Sequence, residues 1–214
     1  MIHHQHEQGS EEWLAARKGC ITGSRFKDCR DKLKNGQPSK ACIAYALDTA
    51  RERIGGNAPA KFQNAAMRQG TEQEPIARAK YEARTGYLVE EVGFFTTEDG
   101  LFGLSPDGLI DDDGVLEIKT MVSSDTLFTA VADGDISEYI DQCNGYLWLL
   151  GRQWVDLVLW VPDLNHMTIR RITRDEDAIE ALEADLMAFA QMVKTYETKL
   201  RTALAQQEEV AEAA

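Results

Sequence analysis

The sequence predicts a single α/β domain, residues 1–214, in which helices surround a central mixed β-sheet. Three observations support this prediction. A chain of 214 residues is long enough to bury one sizeable core. Segments with helical periodicity alternate with segments of β-type composition, and no repeat or linker divides the chain. Residues 154–161 are strongly apolar, which is typical of a strand buried on both faces.

Capping residues and helix-stopping glycines predict the limits of the helices. Ser10 is a good N-cap, and Gly70 interrupts a long helical segment, where we expect a break. We expect helices at residues 11–18, 22 or 24 to about 34, 39–54, 71–84, 123–132, 137–150 and 174–207. The last of these is amphipathic, because its apolar residues recur at helical spacing. Residues 1–9, which include His3, His4 and His6, and residues 205–214 are expected to be poorly ordered.

Short apolar runs bounded by turn residues predict the strands. We expect them at residues 87–96, 101–104, 108–110, 114–120, 154–161 and 166–172. The turn Asp111-Asp112-Asp113-Gly114 separates the third of these strands from the fourth, which predicts a hairpin. A hairpin at this turn would bring Asp107 back beside residues 117–119.

Composition limits the class of protein. An apolar content of 43% and a charged content of 28% are ordinary for a soluble globular protein. No apolar run approaches the roughly 20 residues of a membrane span. The N-terminus lacks the apolar segment of a signal peptide, so we expect a cytoplasmic protein with no membrane partner. The four cysteines form no CxxC pair, which argues against a zinc or iron–sulfur site and predicts free thiols.

The net charge of −13 argues against a nucleic-acid partner when it is taken as a whole, because phosphate binders need a basic surface. The charges are unevenly distributed, however. Basic residues cluster between Arg17 and Lys34, and acidic residues accumulate near the C-terminus. The sequence is therefore compatible with an acidic protein that has a basic groove.

The predicted hairpin carries the residues that point to chemistry. Successive side chains of a strand alternate between its faces, so Glu117 and Lys119 share one face and Ile118 takes the other. Asp107 would lie beside them, and two carboxylates with one ammonium suit a hard divalent cation and an activated water. An exposed hairpin with ordinary surface charges is the alternative, because acid–acid–lysine patterns often occur by chance.

Several ordered motifs resemble those of the PD-(D/E)xK nuclease superfamily, and more narrowly the YqaJ-type viral recombinase exonucleases, also called the lambda exonuclease family. The similarity spans roughly residues 13–160. The matching motifs are Trp13-x-x-x-Arg17-x-Gly19, Ile21-Thr22-Gly23-Ser24, Gly70-x-x-x-Glu74, Ser105-Pro106-Asp107-Gly108-Leu109, Leu116-Glu117-Ile118-Lys119, and Gln142 with Tyr146 and Trp148. The resemblance implies a restriction-endonuclease-like core, in which helices flank a mixed sheet.

The resemblance also implies roles for individual residues of the cutting site. Asp107 and Glu117 would hold the metal, with Glu74 completing its site and the Ile118 carbonyl supplying a further oxygen. Lys119 would orient the attacking water. Gln142 would hold the lysine, the water or the substrate in place. The alternatives are that Glu74 is a solvated helix residue and that Gln142 makes only a helix–sheet contact.

A second group of residues would handle the end of the DNA strand. Arg17 and Ser24 match positions that hold a 5′-terminal phosphate in the family, and a guanidinium grips phosphate with two parallel hydrogen bonds. Met67 matches an apolar wedge that separates the terminal base pairs. A structural ion pair for Arg17 and core packing for Met67 are the alternatives. We expect Trp13 to lie in the core.

The resemblance implies a phage- or prophage-encoded 5′→3′ exonuclease that acts on linear double-stranded DNA. It would release 5′-mononucleotides and leave a 3′ single strand, using Mg²⁺, with Mn²⁺ as a substitute and two ions per active site. It also implies a homotrimeric ring, with the basic residues between positions 17 and 34 as candidates for the channel lining, and a single-strand annealing protein as partner. An endonuclease or repair nuclease of the same superfamily, and a non-catalytic DNA-binding or assembly module, are the alternatives.

Overall fold

The computed structural model describes residues 1–59 and 65–212, without the side chains of residues 65–67 and 207–212. Helices and strands alternate along this part of the chain, as predicted. The helices are α1 (Glu11–Arg17), α2 (Phe26–Arg30), α3 (Lys40–Arg53), α4 (Ala65–Thr85), α5 (Ser124–Leu127), α6 (Ser137–Leu149) and α7 (Glu176–Glu212). A 3₁₀ turn, Gly23–Arg25, precedes α2, and a π-helical segment, Phe128–Ala132, follows α5.

Two mixed sheets lie between the helices. The strands are β1 (Ile2–His4), β2 (Ile21–Thr22), β3 (Val89–Glu90), β4 (Phe94–Thr96), β5 (Phe102–Leu104), β6 (Gly108–Ile110), β7 (Gly114–Thr120), β8 (Trp154–Val161) and β9 (His166–Thr173). Their orders are β1-β4-β5-β2 in the smaller sheet and β3-β6-β7-β8-β9 in the larger. The predicted hairpin is confirmed: β6 pairs antiparallel with β7 around a turn in which Asp111 takes a positive φ of 45°.

Strands β7 and β8, inside the larger sheet, are buried on both faces, as predicted for β8 from its apolar character. Val155, Leu157 and Leu159 join the main core, which α3, α6 and α7 cover. Val158 and Trp160 point the other way, into a second core that contains residues of α4. Strand β8 therefore packs against helices on both of its faces, and this is why its sequence is a continuous apolar run.

Helix α4 is fixed to the larger sheet by a buried polar group. The Tyr81 hydroxyl donates to Asp156 Oδ2 at 2.6 Å, and Arg171 donates to both oxygens of Asp156 at 2.8 Å. Asp156 is only 2% exposed, so its charge depends on these partners. The same helix carries Glu74, which lies about two turns before Tyr81.

Helix α4 corrects one prediction, since it runs unbroken through Gly70 and Pro75. A glycine costs only about 1 kcal/mol relative to alanine inside a helix. Ala77 and Tyr81 of this helix are fully buried against the sheet, and this packing outweighs the local preference for a break. Met67 falls among the residues whose side chains the structure does not describe, so its wedge role lies outside the described residues.

The N-terminal residues were expected to be poorly ordered, but residues 2–4 form strand β1 against β4. The His3 ring stacks on Phe95 with centroids 4.3 Å apart, and His4 Nε2 lies 3.0 Å from Thr96 Oγ1. At the other end, α7 continues to Glu212. Strand β1 could not be predicted because its partner lies more than ninety residues away in the sequence.

The second helix is shorter than predicted. Helix α2 ends at Arg30, and Lys32 then pairs with Pro38 in an isolated bridge around the turn at Gly36. The helix lies close to α6 because Gly145 has no side chain: a Cβ there would approach the Phe26 ring to 2.5 Å. This contact brings the segment that carries Ser24 next to the helix that carries Gln142.

Two further predictions are confirmed within the described residues. All four cysteines are buried free thiols, and burial raises the pKa of three of them strongly. Trp13 is buried in a small core with Phe94. Among the residues that the structure describes, no helix has the length and apolar character that a membrane crossing requires.

Candidate active site

Strand β7 presents its acidic and basic side chains as the two-residue period predicts. Val115 and Glu117 face the core beneath α6, whereas Leu116 and Ile118 pack into the core beneath α4. Asp107 precedes β6, and the hairpin returns it to β7, where its Oδ2 accepts a 2.6 Å hydrogen bond from the Ile118 amide. The structure therefore brings Asp107 beside Glu117 and Lys119, as the sequence predicts.

Glu117 is the most deeply buried member of this group, at 2% exposure. Its Oε1 pairs with Lys119 Nζ at 2.7 Å and accepts from Gln142 Nε2 at 2.8 Å. Its Oε2 accepts from the Tyr146 hydroxyl at 2.5 Å. Burying a carboxylate is costly unless it is paired and hydrogen-bonded, and these three partners meet that requirement.

Gln142 holds the network together. Its Nε2 donates to Glu117 and lies 2.7 Å from the Tyr146 hydroxyl oxygen, and its Oε1 accepts from Lys119 Nζ at 3.1 Å. One amide therefore contacts the acid, the lysine and the tyrosine. This arrangement favours the fixing role over a simple helix–sheet contact, because the amide sets the position of Lys119 relative to Glu117.

The electrostatics of the group are those of crowded carboxylates beside one ammonium. Burial, followed by the charges of Glu117 and Glu74, raises the pKa of Asp107 well above its usual value. Burial alone would lower the pKa of the Lys119 ammonium, but the charges of Glu117 and Asp107 outweigh it and raise that pKa. Lys119 therefore stays protonated and acts as a charged hydrogen-bond donor.

Glu74 approaches the group from α4. Its Oε1 accepts from Arg78 Nη2 at 2.6 Å, and Arg78 Nη1 pairs with Glu91 Oε2 at 2.7 Å. Burial raises the pKa of Glu74, and the charge of Glu117 adds to that rise. Glu74 is thus not a fully solvated helix residue: its side chain is 19% exposed and lies within electrostatic reach of the other acids.

Two cavities meet at Asp107. The smaller, of about 200 Å³, is lined by the hairpin group together with Arg17, Ser24 and Ser105. The larger, of about 600 Å³, is lined by Glu74, Arg78 and residues of the N-terminal segment. The candidate acids therefore separate a small pocket from a wider, acid-rich groove.

Arg17 lies in the smaller pocket, where its guanidinium rests against aromatic rings. Its guanidinium carbon lies 4.1 Å from the Trp13 ring centroid and 5.3 Å from that of Phe94. Within the described part of the chain it makes no hydrogen bond and no salt bridge, and burial lowers its pKa. The structural ion pair weighed above is therefore not formed there. Ser24 lies on the 3₁₀ turn at the rim and is exposed.

The basic cluster between positions 17 and 34 is partly paired with acids of other helices. Lys27 pairs with Glu138, Arg30 with Asp141 and Asp185, and Lys32 with Asp185. These ion pairs join α2 and its following turn to α6 and α7. Acids on other helices therefore pair with three of the seven basic residues of this segment, and its role as a channel lining stays a prediction.

The donor set fits a hard divalent cation. Asp107 and Glu117 supply carboxylate oxygens to one cavity that Ile118 also lines, and Mg²⁺ and Mn²⁺ prefer such ligands. The mutual repulsion that raises the pKa of Asp107 is what a bound cation would relieve. As placed, no three His, Cys, Asp or Glu side chains among the described residues are grouped closely enough to share an ion, so Glu74 would have to move toward one.

Sequence reasoning gave no site role to three residues that the structure places there. Tyr146 contacts Glu117, Ser105 lines the small pocket, and Arg78 holds Glu74. Two of them carry a signal that could have been used: Tyr146 follows Gln142 by four residues, and Arg78 follows Glu74 by four, so each pair shares a helix face. Ser105 carries no such signal.

A mixed sheet that presents an aspartate, a glutamate and a lysine from one hairpin defines the restriction-endonuclease-like, PD-(D/E)xK class of folds. The chain belongs, more narrowly, to the YqaJ-like viral recombinase family, whose domain model matches residues 12–153. The matched segment includes every residue of the hairpin group, Glu74, Gln142 and Arg17. A search of curated protein sequences gives no match.

Solved structures agree with this assignment. An alkaline exonuclease, LHK-Exo, from Laribacter hongkongensis is 35% identical, with a TM-score of 0.80 over 92% of this chain and 100% of its own. The same exonuclease in complex with dAMP matches equally well. A phage-related exonuclease from Haemophilus somnus is 15% identical, with a TM-score of 0.68 over 86% of this chain and 96% of its own, and this likeness shows the fold alone.

Proposed function

We propose that this protein is a Mg²⁺-dependent 5′→3′ exonuclease that degrades one strand of linear double-stranded DNA. The observation that carries the proposal is the shared pocket, in which an arginine with no ion pair to any described residue lies in the same cavity as the acid–lysine group. A phosphate anchor and a cleavage group in one small cavity would put the cut next to a strand end. The 35% identity to an alkaline exonuclease supports the same activity.

Each residue of the hairpin group has a defined task in this proposal. Asp107 and Glu117 would hold the cation, with Glu74 completing the site, and Ile118 would add its carbonyl oxygen. When bound, the cation would polarise the scissile phosphate and lower the pKa of a water molecule. Two ions, as the family resemblance implies, would require Glu74 to take part.

Lys119 would donate to the attacking water or to a phosphate oxygen. Its raised pKa keeps it charged in neutral and alkaline solution, so it would stabilise developing negative charge and would not take up a proton. Gln142 would hold the ammonium in place through the 3.1 Å hydrogen bond. Tyr146, donating to Glu117, would keep that carboxylate from rotating away from the cavity.

Arg17, Ser24 and Ser105 would bind the 5′-terminal phosphate. The Arg17 guanidinium is partly buried and has no carboxylate partner among the described residues, and an anionic ligand would offset the cost of burying its charge. The Ser105 hydroxyl is likewise buried without a hydrogen-bond partner among the described residues, and its residue lines the same pocket. Ser24 would add a donor from the rim.

The remaining features of the proposal come from the family. They are release of 5′-mononucleotides, a 3′ single-stranded product, a homotrimeric ring around the DNA, and a single-strand annealing protein as partner in phage-type recombination. Ring enclosure would keep the DNA bound without strong attraction to the outer surface, which agrees with a net charge of −13.

Replacing Arg17 by alanine tests the phosphate pocket. We expect Arg17→Ala to slow digestion of 5′-phosphorylated ends by roughly 10- to 100-fold, because charge-assisted hydrogen bonds contribute about 1.5–3 kcal/mol. Digestion of 5′-hydroxyl ends should change little. The measurement is the initial rate of nucleotide release from otherwise identical duplexes that differ only at the 5′ end.

Arg170→Ala is the matched control, since Arg170 is exposed on β9 and lines neither cavity. It should digest both substrates at the wild-type rate. An equal loss on both kinds of end in Arg17→Ala would remove Arg17 from the phosphate pocket and leave it a purely structural role.

A further inference from the structure

Arg78 connects one acid of the candidate cutting site, Glu74, to a second acid, Glu91, on the loop after β3. It lies on α4 and pairs with Glu74 on the same helix at 2.6 Å and with Glu91, between β3 and β4, at 2.7 Å. The two carboxylates differ strongly in exposure, since the side chain of Glu74 is 19% exposed and that of Glu91 is 73% exposed. The guanidinium therefore bridges an inner acid and an outer acid.

An ordinary ion pair between residues four apart on a helix surface contributes about 0.3–0.5 kcal/mol and is screened by salt. Arg78 is not of this kind, because its side chain is only 10% exposed. Its Nε is buried and has no hydrogen-bond partner among the described residues. A buried guanidinium that leaves one donor unsatisfied is held where it is by its two carboxylate partners.

Arg78 also lines the wider cavity together with Glu74 and Asp107. It engages only Oε1 of Glu74, and the described residues provide no hydrogen-bond partner for Oε2. The pair with Glu91 offsets the positive charge of Arg78. The consequence is a carboxylate that is held at one oxygen and lies at the edge of the acid group.

We propose that Arg78 is a positioning residue for the cation site: it holds Glu74 by one oxygen at the edge of the acid group, so that a short movement of the side chain brings the other oxygen to a divalent cation beside Asp107. Glu91 is the outer support that keeps the guanidinium in place. This inference rests on the proposed function, since it requires that the acids bind a cation. It adds that cation affinity depends on a residue that contacts neither the cation nor the DNA.

Binding of Mn²⁺ alone, without DNA, tests this inference by calorimetry or by electron paramagnetic resonance of free Mn²⁺. Loss of a partner that orients a metal ligand typically weakens metal binding about 10- to 100-fold, and we expect a weakening in this range for Arg78→Met. Arg78→Lys should also bind Mn²⁺ more weakly than wild type, because an ammonium cannot bridge the two carboxylates as a planar guanidinium does. Arg84→Met, on the same helix but bonded to the Met167 carbonyl, should bind as wild type does.

Replacing the buried Arg78 could disturb folding, so the exposed Glu91 provides a second test. Glu91→Gln changes an exposed residue and should weaken Mn²⁺ binding, by a smaller factor than Arg78→Met. Glu90→Gln removes the same charge from the neighbouring position, which makes no contact with Arg78, and should weaken binding less than Glu91→Gln. A larger or equal effect of Glu90→Gln would show that only net charge matters and would overturn the positioning role.

The remaining outcomes separate this inference from the proposed function. Wild-type affinity, or tighter binding, in Arg78→Met would show that the guanidinium does not position Glu74 or that it competes with the cation. Either result overturns the inference and leaves the proposed nuclease intact. Absence of Mn²⁺ binding in the wild-type protein would overturn the proposed function, and the inference with it.

Discussion

Replacing Lys119 by methionine is expected to slow phosphodiester cleavage by about 10²- to 10⁴-fold while leaving Mn²⁺ binding intact. Methionine matches the unbranched apolar stem of lysine but removes the terminal amine, which the surrounding acids keep protonated. The reaction would then lose its charged donor to the water and the phosphate. The cation ligands would remain, because Asp107 and Glu117 are unchanged.

The separation of chemistry from binding is the informative part of this prediction. Cleavage of a linear duplex at saturating Mg²⁺ gives the first quantity, and calorimetric titration with Mn²⁺ gives the second. Lys80→Met is the control, since it removes one exposed lysine from α4. Wild-type cleavage by Lys119→Met would refute the role of the lysine, and loss of Mn²⁺ binding would show that it is needed to hold Glu117.

The second large effect concerns Asp107→Asn, for which we expect cleavage to fall by about 10³-fold and Mn²⁺ binding to weaken strongly. The same variant should be more stable than the wild-type protein in EDTA at pH 8. Asparagine is almost the same size and can still accept the hydrogen bond from the Ile118 amide. It carries no charge, so it removes the repulsion from Glu117 and Glu74 that raises the pKa of Asp107.

The sign of the pH dependence follows from proton linkage. Because the pKa of Asp107 is higher in the folded chain than in the unfolded chain, the folded chain binds more protons. The associated stability is fully present below the unfolded pKa of about 4 and is lost as the pH rises through the folded pKa. The stability of the wild-type protein should therefore fall relative to that of Asp107→Asn as the pH is raised from 5 to 8.

Thermal unfolding in EDTA and in Mg²⁺ measures this effect. In EDTA at pH 8 the Tm of Asp107→Asn should exceed that of the wild-type protein by roughly 2–4 °C, the shift that about 1 kcal/mol gives in a chain of this size. Mg²⁺ should raise the Tm of the wild-type protein and not that of the variant. Asp112→Asn, in the hairpin turn, should behave as wild type. A lower Tm for Asp107→Asn in EDTA would contradict the proposed repulsion.

The hairpin was predictable because its information is local. An aspartate-rich turn with glycine fixed the pairing of β6 and β7, and the two-residue period placed Glu117 and Lys119 on one face. The four-residue spacing on α6 likewise placed Gln142 and Tyr146 together. The structure brings these residues into contact, and their catalytic roles stay predictions.

Contacts between distant segments could not be read from local pattern. Arg30 pairs with Asp185 across 155 positions, so part of the run of basic residues that the sequence offered as a nucleic-acid surface is engaged in ion pairs within the chain. Arg17 lies against Phe94, far away in the sequence, in the small pocket and makes no ion pair with any described residue. Gly70 shows the converse, since a local break signal was overridden by packing elsewhere on the same helix.

The central claim is that cutting requires a strand end, and one assay tests it most directly. Linear duplex and a covalently closed circle of the same sequence are incubated with the protein, with and without Mg²⁺, and the products are sized. We expect Mg²⁺-dependent release of mononucleotides from the linear DNA, starting at 5′-phosphorylated ends, while the circle stays unchanged. Nicking of the circle, or equal release from the linear DNA in EDTA, would contradict it.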